Sequence, residues 1–286
     1  MSPKRVPAED VDPAPLGQSL QFEFSGRTAL NRFLKSAMSE KFLSWNPRDL
    51  EDRGFPSSGL INLYKRWGEG GWGVLLTGNV MLNYDHLEGP GNAIIPHGSL
   101  FSGKRFDAFK ALAHGANKHG SLIVAQLDVQ LEGRTLGSLF AKPRAMMKKD
   151  FEDVIESFAH AAEYCYQAGF DGIRLNAAHG YLLTQFLSPT TNLRTDQYGG
   201  SIESRSRIIF EITDASIAAG IQMRLVENDK HPLDLSQEKD MDVFMTTLQR
   251  LLGEMSQNAD GSKYGFADIV DFPLNPFGSP YSEQCD

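Results

Sequence analysis

The chain has 286 residues, of which 41% are hydrophobic and 22% charged, with a formal net charge of −8. That length and balance suit one large globular domain with ample apolar material for a core. The acidic excess argues against nucleic acid and anionic membrane surfaces as partners, and two cysteines, Cys165 and Cys285, provide neither a disulfide framework nor a zinc site.

Residues 1–16 carry four prolines and no apolar core, which predicts a disordered arm rather than a secretory signal, followed by a single domain over 17–286. No apolar run approaches the ~18 residues a membrane span needs, so the expectation is a soluble, cytoplasmic protein. Residues 20–24 alternate apolar and polar and stop at Ser25-Gly26, the pattern of a hairpin's first half. Residues 31–38 predict a strand. Leu60, Ile61, Tyr64 and Trp67 then recur at helical spacing until Gly68-Glu-Gly-Gly71 ends the run.

Residues 73–81 form a near-continuous apolar strand. Phe106, Phe109, Leu112, Ala113 and Ala116 mark a helix closed by Gly120, and 121–127 is the next strand, with Gln126 near its end. Phe151, Val154, Ile155, Phe158, Ala162 and Cys165 make an amphipathic helix that Gly169 stops. The strand 171–175 follows, and Asn176, His179 and Tyr181 arrive within six residues at its C-terminal end. A helix over 201–219, a strand over 221–226, a helix opening at Ser236 and a last strand over 267–272 complete the series.

Alternating short strands and helices imply a parallel sheet in an α/β fold. The six strands expected start ~40 to 50 residues apart, which fits a TIM-type (β/α)8 barrel that is incomplete, with about six βα units. A doubly wound open sheet is the alternative, but no Gly-x-Gly-x-x-Gly follows the first strand. In parallel α/β folds sites are built at the C-terminal ends of strands. There, Asn176 and His179 with the phenol of Tyr181 form a candidate anion clamp with a proton donor; ordinary loop packing is the competing reading. The other histidines lack metal-ligand spacing, so no metal is expected.

The segment Gly169-Phe-Asp-Gly-Ile-Arg-Leu-Asn-Ala-Ala-His-Gly-Tyr-Leu-Leu-Thr-Gln-Phe-Leu-Ser-Pro189, continuing to Arg205, resembles the signature of the old yellow enzymes. These are FMN-dependent NAD(P)H oxidoreductases on a (β/α)8 barrel. Asn31-Arg-Phe-Leu-Lys-Ser-Ala-Met-Ser39, Gly70-Gly-Trp-Gly-Val-Leu-Leu-Thr-Gly-Asn79 and Leu122-Ile-Val-Ala-Gln126 are similar to the family's first three barrel strands. Gln222-Met-Arg-Leu225 and Phe266-Ala-Asp-Ile-Val-Asp271 are similar to the fifth and sixth, and the likeness leans towards a fungal branch.

The resemblance implies roles. Asn176 and His179 would bind the carbonyl oxygen of a small enone-type substrate, and Tyr181 would protonate its α-carbon. Gln126 and Arg224 would meet the pyrimidine edge of FMN. Ser39, with the backbone around Ala37, would lie on the flavin's N5 side, and Gly78 and Asn79 on its other face. NAD(P)H would be the reductant of an ene-reductase.

Two departures accompany it. The family usually has His where this chain has Asn176, and a His-containing Gly-Arg turn where this chain continues Leu127-Asp-Val-Gln-Leu-Glu-Gly133. The last two barrel strands, which grip the FMN phosphate in the family, are expected to be lacking, which sets a second reading beside the first: a redox-inactive relative acting as a scaffold or a flavin-free isomerase. Strand edges left open at 31 and 267 would favour homo-oligomers.

Overall fold

The computed structural model describes residues 11–22, 25–129 and 144–219. A 3-10 turn, Ala14–Gly17, opens the described chain, and its Leu16 carbonyl accepts from Arg32 N at 3.0 Å. Part of the expected arm is thus tied to the fold; residues 1–10 lie outside the described residues. β1 (Leu20–Gln21) pairs antiparallel with β2 (Thr28–Ala29), the hairpin expected there. Arg27, ahead of β2, is ion-paired with Asp171, and Asp171 Oδ2 accepts from Ile123 N at 2.8 Å. The hairpin is thereby fastened where two later strands begin.

The main sheet runs β3 (Leu34–Lys35), β4 (Val74–Met81), β6 (Leu122–Asp128), β7 (Gly172–Leu175), all neighbours parallel, with β5 (Ala93–Ile94) paired to the end of β4. α1 (Ser58–Glu69), α2 (Gly103–Asn117) and α3 (Lys148–Gln167) lie between successive sheet neighbours, and α4 (Leu182–Leu187) and α5 (Ile202–Ala218) follow β7. This is part of a β/α barrel of the TIM type, four of its consecutive strands being described. The expected strands over 221–226 and 267–272, and the helix opening at Ser236, lie outside the described residues.

The expected strand over 31–38 contracts to Leu34–Lys35. Its flanks hold the extended chain in other ways: Asn31 Nδ2 donates to Gly71 O at 2.7 Å, and Phe33 O accepts from Gly73 N and Val74 N. Lys35 does not face water, as a lysine on a strand usually would. Its side chain is buried, with Nζ donating to Leu76 O at 2.8 Å and to Glu40 Oε1 at 3.1 Å. The residue after which the ladder stops is therefore anchored by its side chain.

One face of the sheet carries the core. Leu75, Val80, Ile123, Ala125 and Leu127 are fully or almost fully buried in one cluster with Leu60 and Tyr64 of α1, Phe109 and Leu112 of α2, and Phe158 and Cys165 of α3. The strands alternate, so their other face carries Val74, Leu76, Leu122 and Val124 low down and polar groups towards the C-terminal ends. Helix boundaries follow local chemistry: Ser57 Oγ accepts from Leu60 N and Ser201 Oγ from Ser204 N, both as N-caps. Gly169 closes α3 at φ +91°, a conformation that costs glycine nothing. Among the described residues no helix is long and apolar enough to cross a membrane.

α1 and α2 pack so closely at Gly68 that a Cβ there would lie 2.2 Å from Ala116 O. In an open helix Gly→Ala stabilises by about 1 kcal/mol. Here overpacking wins, and Gly68→Ala is expected to destabilise by ~1 to 3 kcal/mol. Denaturant unfolding checks this, and a gain in stability would show that the helices can part freely.

Candidate active site

The C-terminal rim of the sheet is polar because of one irregularity. β4 and β6 pair in register from Val74↔Leu122 to Leu76↔Val124, slip by one residue, and resume at Asn79↔Gln126. The slip leaves Thr77 and Gly78 opposite Ala125, turning Asn79 to the inner face beside Gln126. Thr77 Oγ1 accepts from Gln126 N at 3.0 Å, supplying the bond the slip removes. Gln126 Nε2 donates to Asn79 Oδ1, and both carboxamides are buried. Arg174 of β7 pairs in register with Gln126, so it stands on the same inner face; burial lowers its guanidinium pKa.

Beyond β7 the chain stays tied to β6. Asn176 N donates to Leu127 O and Leu182 N to Val129 O. Between these anchors His179 is forced to φ +56°, the left-handed region that non-glycine residues rarely occupy. The turn points Tyr181 back across the rim, its ring centroid 6.5 Å from that of His179. Tyr181 is half-buried and His179 is exposed.

Tyr181 meets a residue that no spacing in the sequence marks. Its hydroxyl donates to Glu88 Oε1 at 2.6 Å. Asn79 Nδ2 donates to the same oxygen, while Lys41 Nζ at 2.9 Å and Asn92 Nδ2 at 3.0 Å donate to Oε2. Burial alone would raise the Glu88 pKa, yet hydrogen bonds from Tyr181, Asn92, Lys41 and Ser39 outweigh it and hold the carboxyl at about 2. For Tyr181 burial and the Glu88 carboxylate act together and push the phenol well above its ordinary value.

A second carboxyl behaves in the opposite way. Asp128 ends β6, is 1% exposed, and accepts from Asn176 Nδ2 at 2.8 Å. Burial dominates that donor, and the nearby Glu88 charge adds to it, so the Asp128 pKa lies well above the carboxylate range. Two carboxyls on one rim are thus shifted in opposite directions because one has many donors and the other few.

The residues expected from the sequence, besides His179 on the exposed turn, are placed differently. Asn79, Gln126 and Tyr181 share the rim, and Asn176 joins it through Asp128, although its amide is only 2% exposed. Ala37 and Ser39 lie on the segment after β3; Ser39 is exposed and Ala37 half-buried. Gly78 is packed rather than open, since a Cβ there would lie 2.2 Å from Met38 O. Arg224 lies outside the described residues. Sequence reasoning missed Lys41, Glu88, Asn92 and Asp128. Asp128 alone left a signal, a charge ending an apolar strand; the others sit in loops.

Asp128→Asn tests the upward shift. A carboxyl whose folded pKa is raised favours folding fully below its unfolded value of about 4, and loses that contribution as pH rises through the folded value. The amide keeps the shape and does not titrate. The variant's stability relative to the parent is therefore expected to rise between pH 4 and pH 8, by ~1 kcal/mol or more. Thermal unfolding across that range checks it; a flat difference would mean that Asp128 ionises normally.

A family model described as NADH:flavin oxidoreductase / NADH oxidase matches residues 116–232. An NADH-dependent flavin oxidoreductase of Aspergillus parasiticus is 48% identical over 224 residues, covering 72% of this chain and 50% of the relative. One from Talaromyces variabilis is 32% identical over 221 residues, covering 66% and 51%. Among solved structures, Old Yellow Enzyme from Pichia sp. AKU4542 superposes with a TM-score of 0.62 at 21% identity, over 84% of this chain and 68% of that one. The old yellow enzyme homologue from Zymomonas mobilis gives 0.59 at 23% identity, over 73% and 61%. These last two share the barrel fold. The chain spans about half the length of these two curated relatives. With the family model, the fungal relatives and the barrel in agreement, the chain belongs to the NADH:flavin oxidoreductase / NADH oxidase family, that of the old yellow enzymes.

Proposed function

We propose that this chain carries the site of an FMN-dependent NAD(P)H oxidoreductase that reduces the activated C=C bond of an α,β-unsaturated carbonyl compound. The observation that carries the reading is the placement of the Tyr181 phenol on the same rim as the Asn79–Gln126 carboxamide pair. A flavin's pyrimidine ring displays carbonyls and an N–H along one edge, and carboxamides answer both. The donor set therefore fits FMN at that edge, with Asn79 and Gln126 to hold it and the 37–39 segment alongside. The chemistry FMN supplies when bound is hydride, replenished from NAD(P)H.

The chain's own residues do the rest. The Asn176 amide carries two N–H hydrogens, one of them engaged by Asp128, which leaves one for a carbonyl oxygen. With His179 it would stabilise the negative charge that grows on that oxygen as the β-carbon is reduced. Tyr181 would pass its proton to the α-carbon. The names of the fungal relatives support NADH as reductant. Support for the substrate class comes from a rice 12-oxophytodienoate reductase, 34% identical over 127 residues, which cover 44% of this chain and 33% of that protein.

The test uses the purified full chain with added FMN. The expected result is a bound-flavin absorption band that NADH bleaches under anaerobic conditions and 2-cyclohexenone restores. Tyr181→Phe is expected to slow the restoring step by ~10²- to 10⁴-fold while leaving the bleaching rate unchanged. No bound band, or an unimpaired variant, would overturn the reading.

A further inference from the structure

Glu88 is the acceptor on which three separate parts of the rim converge. Lys41 comes from the segment after β3, Asn79 from β4 itself and Tyr181 from the loop after β7, 93 residues further along the chain. Asn92 closes the cluster, donating to Glu88 and accepting from Lys41 Nζ at 2.9 Å. The Glu88 side chain is 16% exposed, so these bonds largely replace water. Lys41 and His179, the two non-glycine residues with positive φ among the described residues, both belong to segments held here. Such strain persists where surrounding contacts over-determine the backbone.

We propose that Glu88 is the positioning residue of this site: its carboxylate, pinned by Lys41 and Asn92, fixes the Tyr181 hydroxyl at the barrel mouth. The inference rests on the reading of Tyr181 as the acid. A proton relay through Glu88 is the rival role, and its chemistry argues against it. A carboxyl held at about 2 is ionised at neutral pH and has no proton to give. In the step itself the Tyr181 hydroxyl turns its one hydrogen from Glu88 to the substrate, its O–H bond breaks and a C–H bond forms at the substrate's α-carbon. The phenolate left beside Glu88 faces a second anion, so it regains a proton from water. The titratable groups around Tyr181 are Glu88 from the loop after β4, Asp128 from β6 and His179 from its own loop, with Lys41 beyond Glu88. Glu88 heads the charged groups acting on the phenol, ahead of Asp128, and it alone is hydrogen-bonded to the hydroxyl among them, which makes Glu88 the partner to change.

The experiment compares the full chain with its Glu88→Gln and Tyr181→Phe variants. The first readout is the tyrosine Cζ resonance in ¹³C NMR, with Tyr181→Phe identifying the signal; it needs no bound cofactor. The Tyr181 Cζ shift at neutral pH is expected to move in Glu88→Gln, because a carboxylate acceptor is replaced by an amide, and an unchanged shift would overturn the proposal. The second readout is enone reduction with FMN and NADH. Positioning predicts a kcat lowered ~10- to 100-fold with KM nearly unchanged and flavin reduction by NADH unaffected; a shifted phenol with unchanged kcat would reduce Glu88 to a bystander and overturn it. Should Glu88→Gln not fold, Tyr181→Phe reports the same bond from the other side: the Glu88 carboxyl midpoint rises from about 2 if the bond exists and stays there if it does not. Failure to bind FMN would remove the proposed function and leave the NMR readout to decide whether Glu88 holds the phenol.

Discussion

Between Leu76 and Asn79 the ladder of β4 against β6 slips by one residue, and the chemistry of the rim follows from that slip. Side chains on a strand alternate between faces, so below the slip Val74 and Leu76 face inward, and without it Asn79 would point into the helix-side core. With it Asn79 stands beside Gln126. The cost is small because each loosened group finds a partner. Thr77 Oγ1 takes the Gln126 amide, and Gly78 lets the chain after β3 approach closer than any side chain would permit. That approach brings the 38–41 segment, and so Lys41, towards the rim where Glu88 waits.

Beneath the rim a second polar cluster keeps that segment in place. Lys35 Nζ reaches Glu40, Tyr64 and Leu76 O, and lies 4.3 Å from the Trp67 ring centre. Burial lowers the Lys35 pKa, while Glu40 acts to raise it. A buried pair of this kind adds little net stability against its desolvation cost, but removing one partner leaves a charge with no counterpart. Its value here is geometric. It fixes Glu40 next to Gly78, one residue before Lys41.

Local patterning in the sequence gives the helices and central strands directly. Leu60 and Tyr64, or Phe151 and Phe158, recur at helical spacing because one stripe of each helix is buried, and Gly169 is a glycine because its φ is +91°. The 31–38 strand is overextended on the same logic. Apolar residues in alternation describe an extended chain, and whether a ladder forms depends on neighbours that a local pattern does not contain. The candidate site divides along the same line. Asn176, His179 and Tyr181 share one loop and are visible together, whereas Lys41, Glu88, Asn92 and Asp128 meet them through contacts made only in three dimensions. Lys35 and Glu88 look like solvent-facing charges in sequence, and their bonding partners are what place them inside.

The departure from the family pattern at Asn176 is best understood together with its partner Asp128. An imidazole at 176 beside an acid at 128 would favour an ion pair, and burying two charges there carries a desolvation cost of several kcal/mol for each. The amide removes that incentive. Asn176 donates one hydrogen to Asp128, and burial pushes the acid's pKa upward, towards the uncharged form. The carboxylate hydrogen-bonded to the Tyr181 phenol is that of Glu88, which Lys41 also pairs with. A substrate carbonyl that draws electron density towards Asn176 would meet a neutral donor there, with the opposing anion held at Tyr181's hydroxyl. On the function proposed above, the place where charge would develop and the place from which a proton would leave are served by different partners on one rim, Asp128 behind Asn176 and Glu88 behind Tyr181.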